Sequence, residues 1–230
     1  MLGISAGLSN VKSMKASAAW DVTKISGLFA WFKYNTGQTA RTGDEMLRWG
    51  DEYGNEALTI DDGKVLINGG DVNFHTNNGR MKLESLWDPG SFSFYFVAKI
   101  STEEDVSNEE IYHSDSSNFF RINNANQVRV RIGDTTNNDI ALPGHELENN
   151  TYFVIGIEWD GSTISIYQDT DYATPTTATD NDTFAGISKI GKRGNSFEGH
   201  IREMVMIDDV LNTADRKLLM EHLIEVRDIS

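Results

Sequence analysis

Carboxylates are the most numerous reactive side chains in the sequence, and several recur at alternate positions in short polar runs. Asp169-Thr-Asp171 and Asp180-Asn-Asp182 each space two carboxylates two residues apart, and Glu103-Glu-Asp105 is a third acidic run. Hard oxygen donors on loops are calcium ligands, which makes Asp169, Asp171, Asp180 and Asp182 the candidate metal residues, although no run matches the Asp-x-Asp-x-Asp-Gly calcium loop. Glu203 is of another kind. It alternates in phase with Ile201, Val205 and Ile207, so it points to the core side of a strand. An unpaired charge is costly there, and the expectation is a structural carboxylate bonded to backbone amides, a hydroxyl or an Arg. Tyr53, Trp87, Tyr112 and Tyr172 stand beside turn residues, where an exposed ring stacks on a sugar; Trp31, Trp49 and Trp159 are assigned to packing. The five histidines are never spaced as a metal pair on one helix or strand, which argues against catalytic zinc. There is no cysteine, so disulfides, thiolate metal sites and a cysteine nucleophile are excluded. Phosphate-binding glycine loops and a Gly-x-Ser-x-Gly elbow are also absent from the sequence.

The composition narrows the partners. With 35 acidic and 20 basic residues the formal net charge is −15. The lysines and arginines look scattered along the chain, so neither nucleic acid nor a basic membrane contact is expected. Hydrophobic residues make up 39 % of 230, enough for the core of one large β domain. The first residues, Met1-Leu-Gly-Ile-Ser, form neither a signal peptide nor a membrane span. Residues 1–24, rich in Ser, Ala and Gly, read as an extended arm, and residues 25–230 as the folded domain.

The elements that must position these side chains are mostly strands. Between Ser91 and Ser101, Phe92, Phe94, Phe96, Ala98 and Ile100 alternate with Ser93, Tyr95, Val97 and Lys99, the period of a half-buried strand. Gln127–Gly133 repeats the alternation. Thr151–Trp159 and Ser162–Gln168, joined by Asp160-Gly161, predict a hairpin with a type I′ turn. A second hairpin is expected around Asp62-Gly63, and further strands at 28–34, 118–122 and 197–207. From Thr213 to about Val226 the period becomes helical, with Thr213 as the expected N-cap. Asp169–Phe184 reads as a long surface loop.

Gly27-Leu-Phe-Ala-Trp31, the Trp49-Gly-Asp51-Glu-Tyr-Gly54-Asn55 turn, and Phe197-Glu-Gly199-His-Ile201-Arg-Glu203 followed by Leu211-Asn-Thr213 together resemble concanavalin A-like (laminin-G-like) jelly-roll domains over residues 27–225. The resemblance implies an all-β, two-sheet antiparallel jelly-roll sandwich with an N-terminal arm and a C-terminal helix. It also implies calcium as the cofactor to consider. Ala30-Trp-Phe-Lys-Tyr-Asn-Thr-Gly37 is in addition similar to structural proteins of marine cyanobacterial phages. That similarity implies a virion component assembled in the bacterial host cytoplasm. Retaining glucanases of the jelly-roll class carry Glu-x-Asp-x-x-Glu on one strand. Here Glu158-Trp-Asp160-Gly-Ser-Thr163 lacks the third carboxylate, so catalysis is not expected.

The leading expectation is therefore a non-enzymatic virion structural protein, a decoration or fibre/adhesion module that docks on other virion proteins or itself and binds host surface glycans. The alternative is a free carbohydrate-binding module or lectin with a calcium-assisted site, and a glycoside hydrolase or lyase stands third.

Overall fold

The computed structural model describes residues 20–74, 79–101, 109–114, 118–133, 136–191 and 197–229. Most of the expected arm and the Glu103–Asp105 run lie outside the described residues. Among the described residues the chain forms seventeen strands and one α-helix. The strands build two antiparallel layers. Sheet I runs Thr176–Thr179 (β15), Thr163–Gln168 (β14), Phe153–Trp159 (β13), Phe92–Ile100 (β8), Gly199–Ile207 (β17) and Leu28–Phe32 (β1). Sheet II runs Asn138–Ala141 (β12), Gln127–Arg131 (β11), Phe119–Asn124 (β10), Glu109–His113 (β9) and Ile187–Gly191 (β16), then Arg80–Trp87 (β7), Ala57–Asp62 (β4), Glu45–Gly50 (β3) and Gln38–Thr42 (β2). Leu66–Asn68 (β5) and Asp71–Asn73 (β6) bridge the layers, because β5 pairs with β3 and β6, and β6 pairs with β17. The hydrogen-bonded ladder is thus continuous. This is the all-β jelly-roll-like sandwich with a single C-terminal helix.

Strand β8 explains why two cores exist. Phe92, Phe94, Phe96, Ala98 and Ile100 join the core between the sheets, where Phe96 meets Phe120 edge-on at 5.6 Å and Phe94 meets Tyr112 at 4.9 Å. Tyr95 and Val97, on the opposite side, enter a second core under the helix Thr213–Arg227 (α1). Leu219, Met220, Leu223 and Val226 supply the helix side of that core. Each fully buried aliphatic side chain contributes roughly 1.5–3 kcal/mol, which holds the helix on the sheet. Gly156 of β13 makes the second core possible, since a Cβ there would lie 2.1 Å from the Tyr95 ring.

Four local expectations are corrected. Asn212, not Thr213, caps α1: its side chain accepts from the Ala214 and Asp215 amides, while Thr213 is already helical. The β13–β14 hairpin forms, but Trp159 pairs with Ile164, leaving a four-residue connection. Of its residues only Gly161 has positive φ, and the Asp160 carboxylate accepts the Ser162 and Thr163 amides in place of a type I′ turn. No hairpin forms at Asp62-Gly63, because β4 pairs with β3 and β7 while β5 pairs elsewhere. Finally, a bulge between Ile201 and Glu203 breaks the alternation of β17. Ile201, Met204 and Met206 face the inter-sheet core, whereas Val205 and Ile207, and Glu203 in phase with them, face the helix.

Candidate functional site

Three of the buried carboxylates, Glu203, Glu158 and Asp71, lie on the helix side of the sandwich, and each is met by donors. Glu203 accepts from the Trp31 indole at 2.7 Å and the Tyr34 amide at 3.2 Å, and the His222 ring nitrogen stands 2.6 Å from it. Glu158 takes a bidentate contact from Arg216, with Nε at 3.0 Å and Nη2 at 2.6 Å, together with the Tyr95 and Tyr167 hydroxyls at 2.6 and 3.2 Å. Burial beside Glu158 pushes the Tyr167 phenol up to about 12 and holds the Tyr95 phenol well above its ordinary value. Asp71 accepts from the Tyr152 hydroxyl and from Arg202 Nε, whose Nη1 also donates to the Val226, Arg227 and Ile229 carbonyls at the end of α1. Burial alone would raise the Asp71 carboxyl, but His200, Tyr152 and Arg202 together outweigh it and hold the group below the ordinary aspartate value. These are fastening contacts between sheet I and α1. Glu158 and Asp160 do not form a facing pair: Glu158 lies under the helix and Asp160 is exposed in the β13–β14 turn.

The predicted metal residues stay apart. Asp169 is buried and accepts from the Val154 amide at 3.1 Å and Arg227 Nη1 at 2.6 Å, while Asp171 is exposed. Asp180 is buried and accepts from the Asn138 side chain at 2.6 Å and the Asp182 amide at 3.0 Å. Among the described residues no three carboxylates or histidines converge as a metal site.

Of the four predicted sugar-stacking rings, two are corrected. Trp87 is 1 % exposed, wedged behind Phe92 and Phe184, with its indole donating to Asp208 at 2.6 Å. Tyr112 is equally buried, between Phe94 and Phe120, because β9 faces the inter-sheet core. Tyr53 is exposed on the turn organised by the Asp51 carboxylate, and Tyr172 is half-buried beside the helix core. Neither lines the pockets described next.

Two concavities open at the surface. One lies at the end of the sandwich, between the Asp88–Gly90 turn, the Gly161 turn and residues 181–184, and measures about 370 Å³. Its floor is the Trp159 and Phe184 rings, 6.0 Å apart, and its rim carries Asp88, Asn181, Asp182 and Thr183. Trp159 is fixed by its indole bond to the Asp180 carbonyl at 3.0 Å, so the loop that supplies the rim also pins the floor. The other, about 460 Å³, runs beside the end of α1 and includes His145, Thr151, Tyr152 and Arg227. Its Tyr152 ring is already engaged: Arg202 sits 3.7 Å and Lys99 4.8 Å from the ring centroid. The end pocket joins the exposed twentieth of these two core rings to a polar rim. Trp159 packs in the inter-sheet core, as its sequence position leads one to expect, and meets the surface only at this floor.

No protein-family model matches the sequence, and no curated protein sequence matches it either. Solved structures do. Domain 4 of an extracellular arabinanase from Geobacillus stearothermophilus, solved with arabinotriose, superimposes with a TM-score of 0.60 at 10 % identity, covering 88 % of this chain and 99 % of that one. The likeness is one of fold, an antiparallel jelly-roll-like β sandwich. The binding domain of botulinum neurotoxin DC in complex with SialylT matches with a TM-score of 0.57 at 15 % identity over 82 % of this chain and 52 % of that one. A Trypanosoma rangeli sialidase mutant matches at 0.57 and 12 % identity over 89 % of this chain. The chain spans about a third of the sialidase chain and about half of the neurotoxin chain. None of the three structures bears on the resemblance of residues 30–37 to phage proteins.

Proposed function

We propose that this lectin-like sandwich is a non-enzymatic glycan-binding module whose sugar site is the end pocket. The observation that carries the reading is the pairing, in one open cavity, of the Trp159 and Phe184 floor with the amide, hydroxyl and carboxylate rim of Asn181, Thr183 and Asp88. Ring faces and edges take the apolar side of a pyranose or furanose, and the rim takes its hydroxyls. The arabinotriose and SialylT complexes of the similar domains support the same reading. The buried carboxylates Glu158, Glu203 and Asp169 lie outside this pocket and are committed to Arg, His and backbone partners, and the rim carboxylates Asp88 and Asp182 are read as hydroxyl acceptors. The narrower setting, an adhesion module of a phage particle assembled in the bacterial cytoplasm, rests on the residue 30–37 resemblance alone.

The test is titration of glycans found by array screening against the intact chain, followed by product analysis. The reading expects saturable binding of an unaltered glycan and an affinity at least tenfold weaker in the Asn181→Ala/Thr183→Ala variant. Reducing-sugar release, or binding indifferent to both substitutions, overturns it.

A further inference from the structure

The end pocket is built from stretches of chain that carry no lysine or arginine. Neither occurs between Lys82 and Lys99, between Arg131 and Lys189, or between Arg202 and Arg216. The first stretch supplies the turn at residues 88–90, and the second supplies Trp159, Gly161 and residues 181–184. The third closes the same end of the sandwich, where the Trp87 indole donates to Asp208 and the Ser93 hydroxyl donates to the Asp209 carbonyl. Carboxylates recur on all three stretches, and none of the described residues lining the pocket is Lys, Arg or His. Arg216, which ends the third stretch, has its guanidinium committed to Glu158 and the Leu211 carbonyl.

Asp88 differs from the carboxylates around it. Asp160, set between the pocket residues Trp159 and Gly161, accepts the Thr163 and Ser162 amides at 2.7 and 2.9 Å, and these bonds hold its carboxyl below the ordinary aspartate value. Asp208 takes the Trp87 indole, and Asp180 takes the Asn138 side chain. Asp88, by contrast, is exposed on the rim and makes no hydrogen bond or ion pair with any described residue. An ionised carboxylate only accepts hydrogen bonds, so a sugar hydroxyl satisfies it, and a second carboxylate or a sulfate does not. An acidic sugar instead brings a like charge against Asp88, in a pocket with no cation among its lining residues to offset it. Asn181 and Thr183 both donate and accept, so the rest of the rim also suits uncharged hydroxyls.

Taking the end pocket as the sugar site, a reading on which this inference rests, we propose that it is a neutral-glycan site and that Asp88 is the residue that turns away sialylated, uronate-bearing and sulfated glycans. Specificity then comes from repulsion of the wrong partner as much as from fit to the right one. Asp160 and Asp182 add to the negative field at the pocket, and Asp88 supplies the charge that an entering glycan meets. The rim is open to water, so salt screens the discrimination: the Debye length falls from about 8 Å at 0.15 M to about 3 Å at 1 M. Neutral glycans, held by hydroxyl bonds and ring contacts, are indifferent to that change.

The experiment titrates the full chain against an array of neutral oligosaccharides, each beside its sialylated, uronate or sulfated counterpart, lactosamine with sialyllactosamine and galactotriose with trigalacturonate among them. The comparison variants are Asp88→Asn, whose side chain is exposed, and Glu221→Gln, which removes the same charge from the exposed side of α1; circular dichroism verifies both folds. The expected result is that a neutral glycan binds roughly tenfold or more tightly than its acidic counterpart at low salt. Asp88→Asn and high salt should each narrow that gap at least threefold, and Glu221→Gln should leave it in place. Acidic glycans bound as tightly as neutral ones, a gap unaltered in Asp88→Asn, or a gap narrowed equally by Glu221→Gln overturns this inference while the pocket remains a sugar site. Binding of no member of the array, or binding indifferent to Asn181→Ala/Thr183→Ala, removes the glycan-binding reading and this inference with it.

Discussion

Under the helix, Glu158, Glu203 and Asp71 are removed from water and each is surrounded by donors; across the sandwich, Lys82 is exposed and stands opposite Lys189, whose side chain is largely buried beside Asp61. The two outer faces belong to the same fold and to strands of similar construction. What separates them is cover. On sheet I the helix lowers the local dielectric, so a charge persists there only when its partner is built in. On sheet II no helix covers Lys82, water screens its charge, and its facing with Lys189 costs little enough to be retained. Charge on the covered face fastens the structure, and charge on the open face is screened.

The largest effect expected from this contrast is on the covered side. Glu158→Ala leaves Arg216 uncompensated and the Tyr95 hydroxyl without its acceptor, and should cost about 3–5 kcal/mol in urea unfolding. A loss under about 1 kcal/mol would remove the distinction between the faces.

A second effect is on the pH profile, to which the helix side should contribute at both ends. Asp71 has its folded pKa below the ordinary 3.8, so its contribution is complete above that value and is lost as pH falls through the lower folded value. Tyr167 is raised from 10.0 to about 12, so its contribution is complete below the ordinary value and is lost as pH rises toward 12. Thermal melts across pH should show both limbs, with Asp71→Asn flattening the acidic one. An unchanged acidic limb in that variant would place the acid-sensitive groups elsewhere.

Smaller still, and opposite in sign, is Lys82→Glu. It replaces a facing like-charge pair with an opposite one, and is expected to stabilise by about 0.2–1 kcal/mol in urea unfolding. Destabilisation would show that Lys82 is fastened rather than free. The exposed helix pair Lys217–Glu221 marks the floor of the scale: Lys217→Ala should change stability by no more than about 0.5 kcal/mol.

Much of this architecture is written in short-range patterns, and the parts that are not share a cause. The alternation of Phe92 to Ile100, the strand pair about Asp160-Gly161 and the helical period after Thr213 are each local, and each element forms. Glu203 also declares itself as a carboxylate at an apolar position. Which core it enters depends on a bulge at Arg202, and a one-residue shift sends the same side chain to the other face. Trp87 and Tyr112 sit beside turn residues in sequence, yet packing of Phe184, Phe94 and Phe120 from distant strands buries them. The placing of the basic side chains on sheet II is the extreme case. Arg48, Lys82, Arg131 and Lys189 belong to four separate strands, and only the register of sheet II aligns them.

The most direct test of the glycan-binding account is calorimetric titration of the intact protein and of Asn181→Ala/Thr183→Ala with the tightest neutral oligosaccharide found on an array. The account predicts a single saturable site that leaves the sugar intact and loses at least tenfold in affinity in the variant. Equal affinity in both proteins, or cleavage of the sugar, would contradict it.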